Sequence, residues 1–347
     1  MIIALLALFL FLVIGVSFER EPSAEHALSI PQTQAIKGFF VVTIFFSHFC
    51  SYIHFDAWYD SVMQKYCSFL GQLMVAPFLF YSGFGIFESV KIKGAGYVKS
   101  LPKKRILKVL LHFDFAVLLF LLLDFIIDRP VSLSEFAMSL AAWESIGNSN
   151  WFIFAILCAY IFAFAGLSLF KCKLMPSLFF ITALSLVYIV VVYRFKSGYW
   201  IDTILAFPLG CALSLFKDKF NAIVGRKFVA LGGGMLSILV LLFAKNGTIP
   251  SSFVNSQITL VAFSSFIVFF SLLLRLNSRV LTWFGAYVFE LYILQRIPMN
   301  FLAHVGFNEE NIYLFFVISF VSTLLLSVLF SKWNKFFDFV FLNSSKG

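Results

Sequence analysis

The chain has 347 residues, 61% of them hydrophobic and 12% charged, with net charge +9 and mean hydropathy +0.96. Soluble domains run at about 45–50% apolar and about 25% charged, so a water-soluble enzyme is excluded. With 19 Gly, 9 Pro and 5 Cys, so are a disordered chain, a collagen and a disulfide scaffold, which leaves a polytopic membrane protein.

A membrane-spanning helix needs roughly 17–25 mostly apolar residues. Eleven stretches qualify: 2–18, 36–53, 69–88, 106–127, 150–169, 176–193, 200–216, 228–244, 257–275, 280–301 and 312–330. They are continuously apolar rather than alternating, which excludes barrel strands. The predicted fold is therefore all-α, a bundle of about eleven transmembrane helices. Pro102, Pro130, Gly147, Gly198 and Pro250 punctuate the connectors. The first stretch lacks a basic leader and a small-residue cleavage site, so it is read as an added anchor, with a signal sequence as the alternative. Residues 1–33 then form an extra helix and linker, 34–335 the main membrane domain, and 336–347 a tail.

Placing 89–105 in the cytoplasm puts twenty Lys and Arg on that side and five on the other. By the positive-inside rule the N-terminus is outside and the C-terminus cytoplasmic, in a multi-pass cell-membrane protein. The basic residues lie in short loops and span ends, which argues against nucleic acid as a partner and for membrane lipids. Cys50, Cys67, Cys158, Cys172 and Cys211 show no metal-ligand spacing, so no metal is expected. The sequons at Asn246 and Asn343 carry no information without a source.

Ionisable side chains within spans are costly and mark candidate function. They are Lys37, His48, Glu88, His112, Asp114, Asp124, Asp202, Glu290 and Arg296. At about 1.5 Å rise per residue, His48 lies about 18 Å along an outward-going helix and Gln295 about 22 Å along another. His112 and Asp114 lie only about 9–12 Å from the cytoplasmic side. The polar groups thus divide into an outer and an inner layer. At the inner one, Arg105 and Lys108 are three apart and expected on one helical face. Such a pair binds the phosphates of lipids or of a soluble donor, or merely sets topology. His48 is either a structural hydrogen-bonder or a general base.

Six segments in order resemble the membrane-bound acyltransferase 3 family, whose members O-acetylate surface polysaccharides. Lys37 precedes Ser47-His48 by the family's spacing of eleven between a basic residue and histidine. Phe80-Tyr81-Ser82-Gly83-Phe84 matches its "fflSGf", and Arg105-Ile-Leu-Lys108 its RxxR. Asn150-Trp151-Phe152, Phe207-Pro208-Leu209-Gly210 and Glu290-Leu291-Tyr292-Ile293-Leu294 match three later segments. Lys37 and Lys108 stand where the family has arginine, and Gln295 where many members have histidine.

The resemblance implies acetyl-CoA as acyl donor, no permanently bound cofactor, and a glycan or glycolipid acceptor. Lys37, Arg105 and Lys108 would hold the donor. His48 would act as base or as acyl carrier, with Glu290 assisting. Trp151, Tyr292 and Gln295 would line the acceptor side. A polysaccharide or lipid transporter is the alternative reading of the same intramembrane charges.

Overall fold

The computed structural model describes residues 1–19, 21–55, 59–246 and 252–342. Arg20, Pro250, Lys346, Gly247-Thr248 of the first sequon and the whole second sequon lie outside them.

The chain begins with α1 (Ile2–Val13), strand β1 (Val16–Phe18), the short α2 (Ala24–Ala27) and α3 (Ile30–Phe49). Pro31 opens α3, where a missing amide proton costs nothing. Next come α4 (Ser61–Leu70), a 3-10 turn (Gly71–Val75), α5 (Ala76–Leu101), a π turn (Pro102–Leu107) and α6 (Lys108–Ile126). The short α7 (Leu133–Leu140) precedes α8 (Trp151–Leu169), α9 (Leu174–Val192), α10 (Ala206–Leu215), α11 (Lys217–Val224), α12 (Lys227–Lys245) and α13 (Phe253–Leu273). Strand β2 (Leu274–Leu276), α14 (Arg279–Ala286), α15 (Val288–Leu294), α16 (Arg296–His304), α17 (Phe307–Glu310), α18 (Ile312–Phe337) and a C-terminal π turn (Asp338–Leu342) complete it.

Nearly every described residue outside the loops is helical, as the composition requires. Six helical stretches among the described residues are long and apolar enough to cross a membrane. They are the run Ser61–Ile126, which holds both α5 and α6, then α8, α9, α12, α13 and Ile312–Phe341. The expected eleven do not all appear as single full-length spans. The first is a twelve-residue helix followed by a strand, 200–216 shortens to the ten residues of α10, and 280–301 divides among α14, α15 and α16. β1 and β2 pair antiparallel, with Ser17 opposite Arg275, and Gln32 binds β2 on both sides: its Nε2 donates to the Leu274 carbonyl and its Oε1 accepts from the Leu276 amide. Residues at the ends of two apolar stretches thus leave helix for a ladder that no helical periodicity announces.

The longer helices alternate between two ends of the bundle. α3 runs through its centre, with Phe39–Phe46 wholly buried. Its aromatic residues pack edge-on against other helices: Phe40 on Phe263 at 5.6 Å, Phe45 on Phe320 at 5.1 Å and on Phe316 at 5.8 Å. Side chains such as Phe125, Phe179 and Phe228 face outward, as a lipid-facing perimeter requires.

Glycines set the closest crossings. A Cβ on Gly83 of α5 would lie 2.1 Å from the Phe207 carbonyl oxygen, and one on Gly210 of α10 would lie 1.9 Å from that of Phe80. Gly38 of α3 and Gly285 of α14 interlock in the same way, with 1.9 Å to the Leu281 oxygen and 2.0 Å to the Gln34 oxygen. Small residues let membrane helices meet backbone to backbone. Two of the family-like segments, around Gly83 and Gly210, therefore form a single crossing.

Candidate active site

His48 lies in the last turn of α3, half-buried, and its Nδ1 is buried with no hydrogen-bond partner among the described residues. Buried polar atoms are nearly always paired, so an unpaired one needs a reason such as catalysis. The imidazole ring lies 6.3 Å from the Tyr292 ring, which meets Phe152 edge-on at 5.2 Å. The start of α8 thus reaches α15, which in turn reaches α3, and Trp151 adjoins this group, packing on Tyr199 at 6.0 Å.

Arg296 is the cation whose charge reaches both His48 and Tyr292. Its Nε donates to the Tyr52 hydroxyl at 3.1 Å, Tyr52 donates to Asn300 Oδ1, and Asn308 donates to the Tyr52 carbonyl at 2.9 Å. The loop before α8 closes on this network at Gly147 (φ +100), where a Cβ would stand 2.9 Å from Asn300 Nδ2. Tyr52 and Asn300 escaped the sequence reading. Asn300 carried a signal, being one helical turn beyond Arg296.

Gln295 is fully buried, and its Nε2 donates to the Tyr292 carbonyl at 3.0 Å. It lines a small void with Phe45 and Thr323 that His48 does not line. Glu290 departs from its expected place beside His48. It is two residues from Tyr292, hence on the opposite face of the helix, and its polar neighbours are Ser331, Lys335 and Lys108.

At the other end, α5 breaks at Gly94, which takes φ +56 and ψ −145 inside the helix. Positive φ of this kind favours glycine. The chain then passes through the π turn at Pro102–Leu107. Across this turn Arg105 and Lys108 take different neighbours, Arg105 the Tyr97 and Tyr160 hydroxyls and Lys108 the Asp338 carboxylate. This corrects the expectation of a single pair.

Arg105 lies against the hydroxyls of Tyr97 and Tyr160, and Tyr160 meets Ser82 Oγ at 3.3 Å. Its charge reaches Lys37. Among the described residues neither Arg105 nor Lys37 makes an ion pair. Lys108 is neutralised instead: its Nζ lies 2.5 Å from Asp338 Oδ2, while His112 Nε2 lies 2.9 Å from Asp338 Oδ1. Tyr97 and Tyr160 gave no sequence signal in a chain with 12 Tyr and 49 Phe. Asp338 lay in a segment read as tail.

Two cations within electrostatic reach of each other and paired with no carboxylate among the described residues can hold an anion. A partly open imidazole on the same helix, eleven residues and so about 16 Å away, supplies a proton acceptor. The acyltransferase domain model of the acyltransferase 3 family matches residues 32–332. The chain belongs to this family. No curated protein and no solved structure gave a match. Within the matched region, the structure leaves Arg105 without an ion pair among the described residues and pairs Lys108 with Asp338.

Proposed function

We propose that this membrane acyltransferase moves an acetyl group from acetyl-CoA to a hydroxyl of a cell-surface or exported polysaccharide. The observation that carries the reading is the unneutralised pair Lys37 and Arg105 on one side of α3, with the partnerless His48 nitrogen on the other. Phosphate oxygens of the donor would accept charge-assisted bonds from the pair and from the tyrosine hydroxyls beside it. The donor's extended arm would then lie along α3 and bring its thioester toward His48.

The chemistry there is a proton transfer and a substitution. The imidazole takes the proton of the acceptor hydroxyl as its oxygen attacks the thioester carbonyl. The C–S bond breaks, and the leaving thiolate takes the proton back from the imidazolium. Tyr292 and Arg296 would fix the ring and offset developing negative charge. Trp151 would stack on a sugar face. Lys108, paired with Asp338, would hold the C-terminal turn rather than the donor.

The charge asymmetry of the loops supports a cell-membrane orientation with the Arg105 end in the cytoplasm, where acetyl-CoA is made, and the His48 end outside. Family membership favours transfer chemistry over the transporter reading. Purified protein in lipid nanodiscs should release CoA from acetyl-CoA, and surface glycans of a deletion strain should lose acetyl mass that the intact gene restores. Acetyl mass that is unchanged in the deletion strain would end the acceptor assignment.

A further inference from the structure

A second cavity, of about 830 Å³, opens where α9 and α12 end and α13 begins, with the 3-10 turn after α4 as its far wall. This is the His48 end of the bundle, yet neither His48, Tyr292 nor Arg296 lines the cavity. Its size falls within the roughly 300–1,000 Å³ of ordinary ligand pockets.

Its chemistry is specific. Thr203 lines the cavity and is 1% exposed, and its Oγ1 is buried with no partner among the described residues. Asp202 beside it bonds the Ser256 side chain and feels the charge of Lys245. The wall is braced from behind, since Gln257 Nε2 donates to the Asp202 carbonyl at 3.1 Å and Asn255 Nδ2 to the Ala244 carbonyl at 3.1 Å. Arg194 adds a second cation, so the cavity's charged groups sum to one positive charge, and Tyr193 gives it an aromatic surface. A carboxylate and hydroxyls recognise ligand hydroxyls, cations recognise a ligand anion, and an aromatic ring recognises the C–H face of a sugar.

We infer that this cavity binds an acidic sugar, a glycan residue bearing a carboxylate or phosphate, and holds the acceptor chain away from the reacting hydroxyl. The inference rests on the acceptor being a glycan, and adds its charge class and the place where it is held. A polymer gripped at a second point loses less of its binding energy to ordering at the reaction centre.

The test is equilibrium binding to the full-length protein in nanodiscs with no acetyl-CoA present. The probes are tetrasaccharides bearing a uronate or a phosphate, free or carried on a polyprenyl diphosphate, and a neutral tetrasaccharide of equal length. An acidic probe, in whichever form, should bind at least about tenfold more tightly than the neutral one and weaken with salt. Lys245→Gln and the exposed Arg194→Gln should each weaken it several-fold, and Thr203→Val should weaken both acidic and neutral sugars. Circular dichroism and gel filtration of the variants identify any that misfold, and the Arg194 variant, altered only at an exposed side chain, keeps the test decisive. Equal affinity for neutral and acidic probes, or acidic binding unchanged by Arg194→Gln, would overturn the inference. Because no donor is present, such a failure leaves the acyl-transfer reading standing, and a failed acetyl-CoA assay leaves this binding result standing.

Discussion

The two ends of the bundle treat their polar groups in opposite ways. At the His48 end a titratable side chain is kept partly buried with one nitrogen unpaired, and its neighbours are aromatic rings and one arginine. At the Arg105 end cations are numerous, and three lysines there are paired with carboxylates among the described residues. Glu88 takes Lys91 at 2.8 Å and Lys217 at 3.4 Å, and Asp338 takes Lys108. Lys37 and Arg105, within electrostatic reach of each other, take no carboxylate partner among the described residues. In a low-dielectric setting an unpaired group is expensive, so the unpaired His48 nitrogen at one end and the unpaired Lys37 and Arg105 at the other are candidate functional groups. The proposed roles divide in the same way: a reacting group at one end, a charge clamp at the other.

The largest effect should come from His48. His48→Ala should lower acetyl transfer about 10²–10⁴-fold, the usual contribution of a general base, with expression and insertion near wild type. Alanine is favoured in helices, and it removes a polar group that the bilayer interior penalises. Acetyl content of the surface glycan, normalised to protein level, checks this, and a variant that kept most of its activity would erase the contrast between the ends.

Gly210→Ala comes next and tests the scaffold beneath both ends. A methyl group 1.9 Å from the Phe80 oxygen must push α10 off α5. Overpacking of this kind costs about 1–3 kcal/mol, read as a lowered midpoint of thermal unfolding in detergent. An unchanged midpoint would mean that the crossing is looser than the structure has it.

At the clamp, Arg105→Gln should raise the KM for acetyl-CoA about tenfold, because charge-assisted bonds to phosphate are about twice as strong as neutral ones. The kcat should change little, since the residue is far from His48. The smallest effect belongs to Lys108→Gln. Its side chain is 43% exposed and paired with a carboxylate, and exposed ion pairs contribute about 0–1 kcal/mol. Donor KM should therefore stay within about twofold of wild type. Equal KM increases for both substitutions would restore a joint clamp and remove the distinction drawn at the π turn.

Much of this organisation was legible in the sequence, for physical reasons. Apolar continuity and the cost of intramembrane charge marked the helices and the two polar layers, and His48 and Lys37 fell on one helix by spacing alone. What stayed hidden depended on local backbone choices or on distant partners. Nothing in Pro102-Lys-Lys-Arg105 announces that Arg105 and Lys108 take different partners, so they looked like a pair. Glu290 was grouped with Tyr292 by adjacency in a segment that looked like one span, whereas a two-residue offset sends it to Lys335 and Ser331. Tyr97, Tyr160 and Asp338 acquire meaning only when α5, α8 and the C-terminal turn converge on α3 and α6.

The central claim is that donor binding and acyl chemistry reside at opposite ends of α3. Equilibrium binding of CoA to purified wild type, His48→Ala and Arg105→Gln proteins tests it most directly. The account predicts near wild-type affinity for the His48 variant, which has lost its turnover, and about tenfold weaker binding for the Arg105 variant. Weak CoA binding by His48→Ala together with normal binding by Arg105→Gln would contradict it.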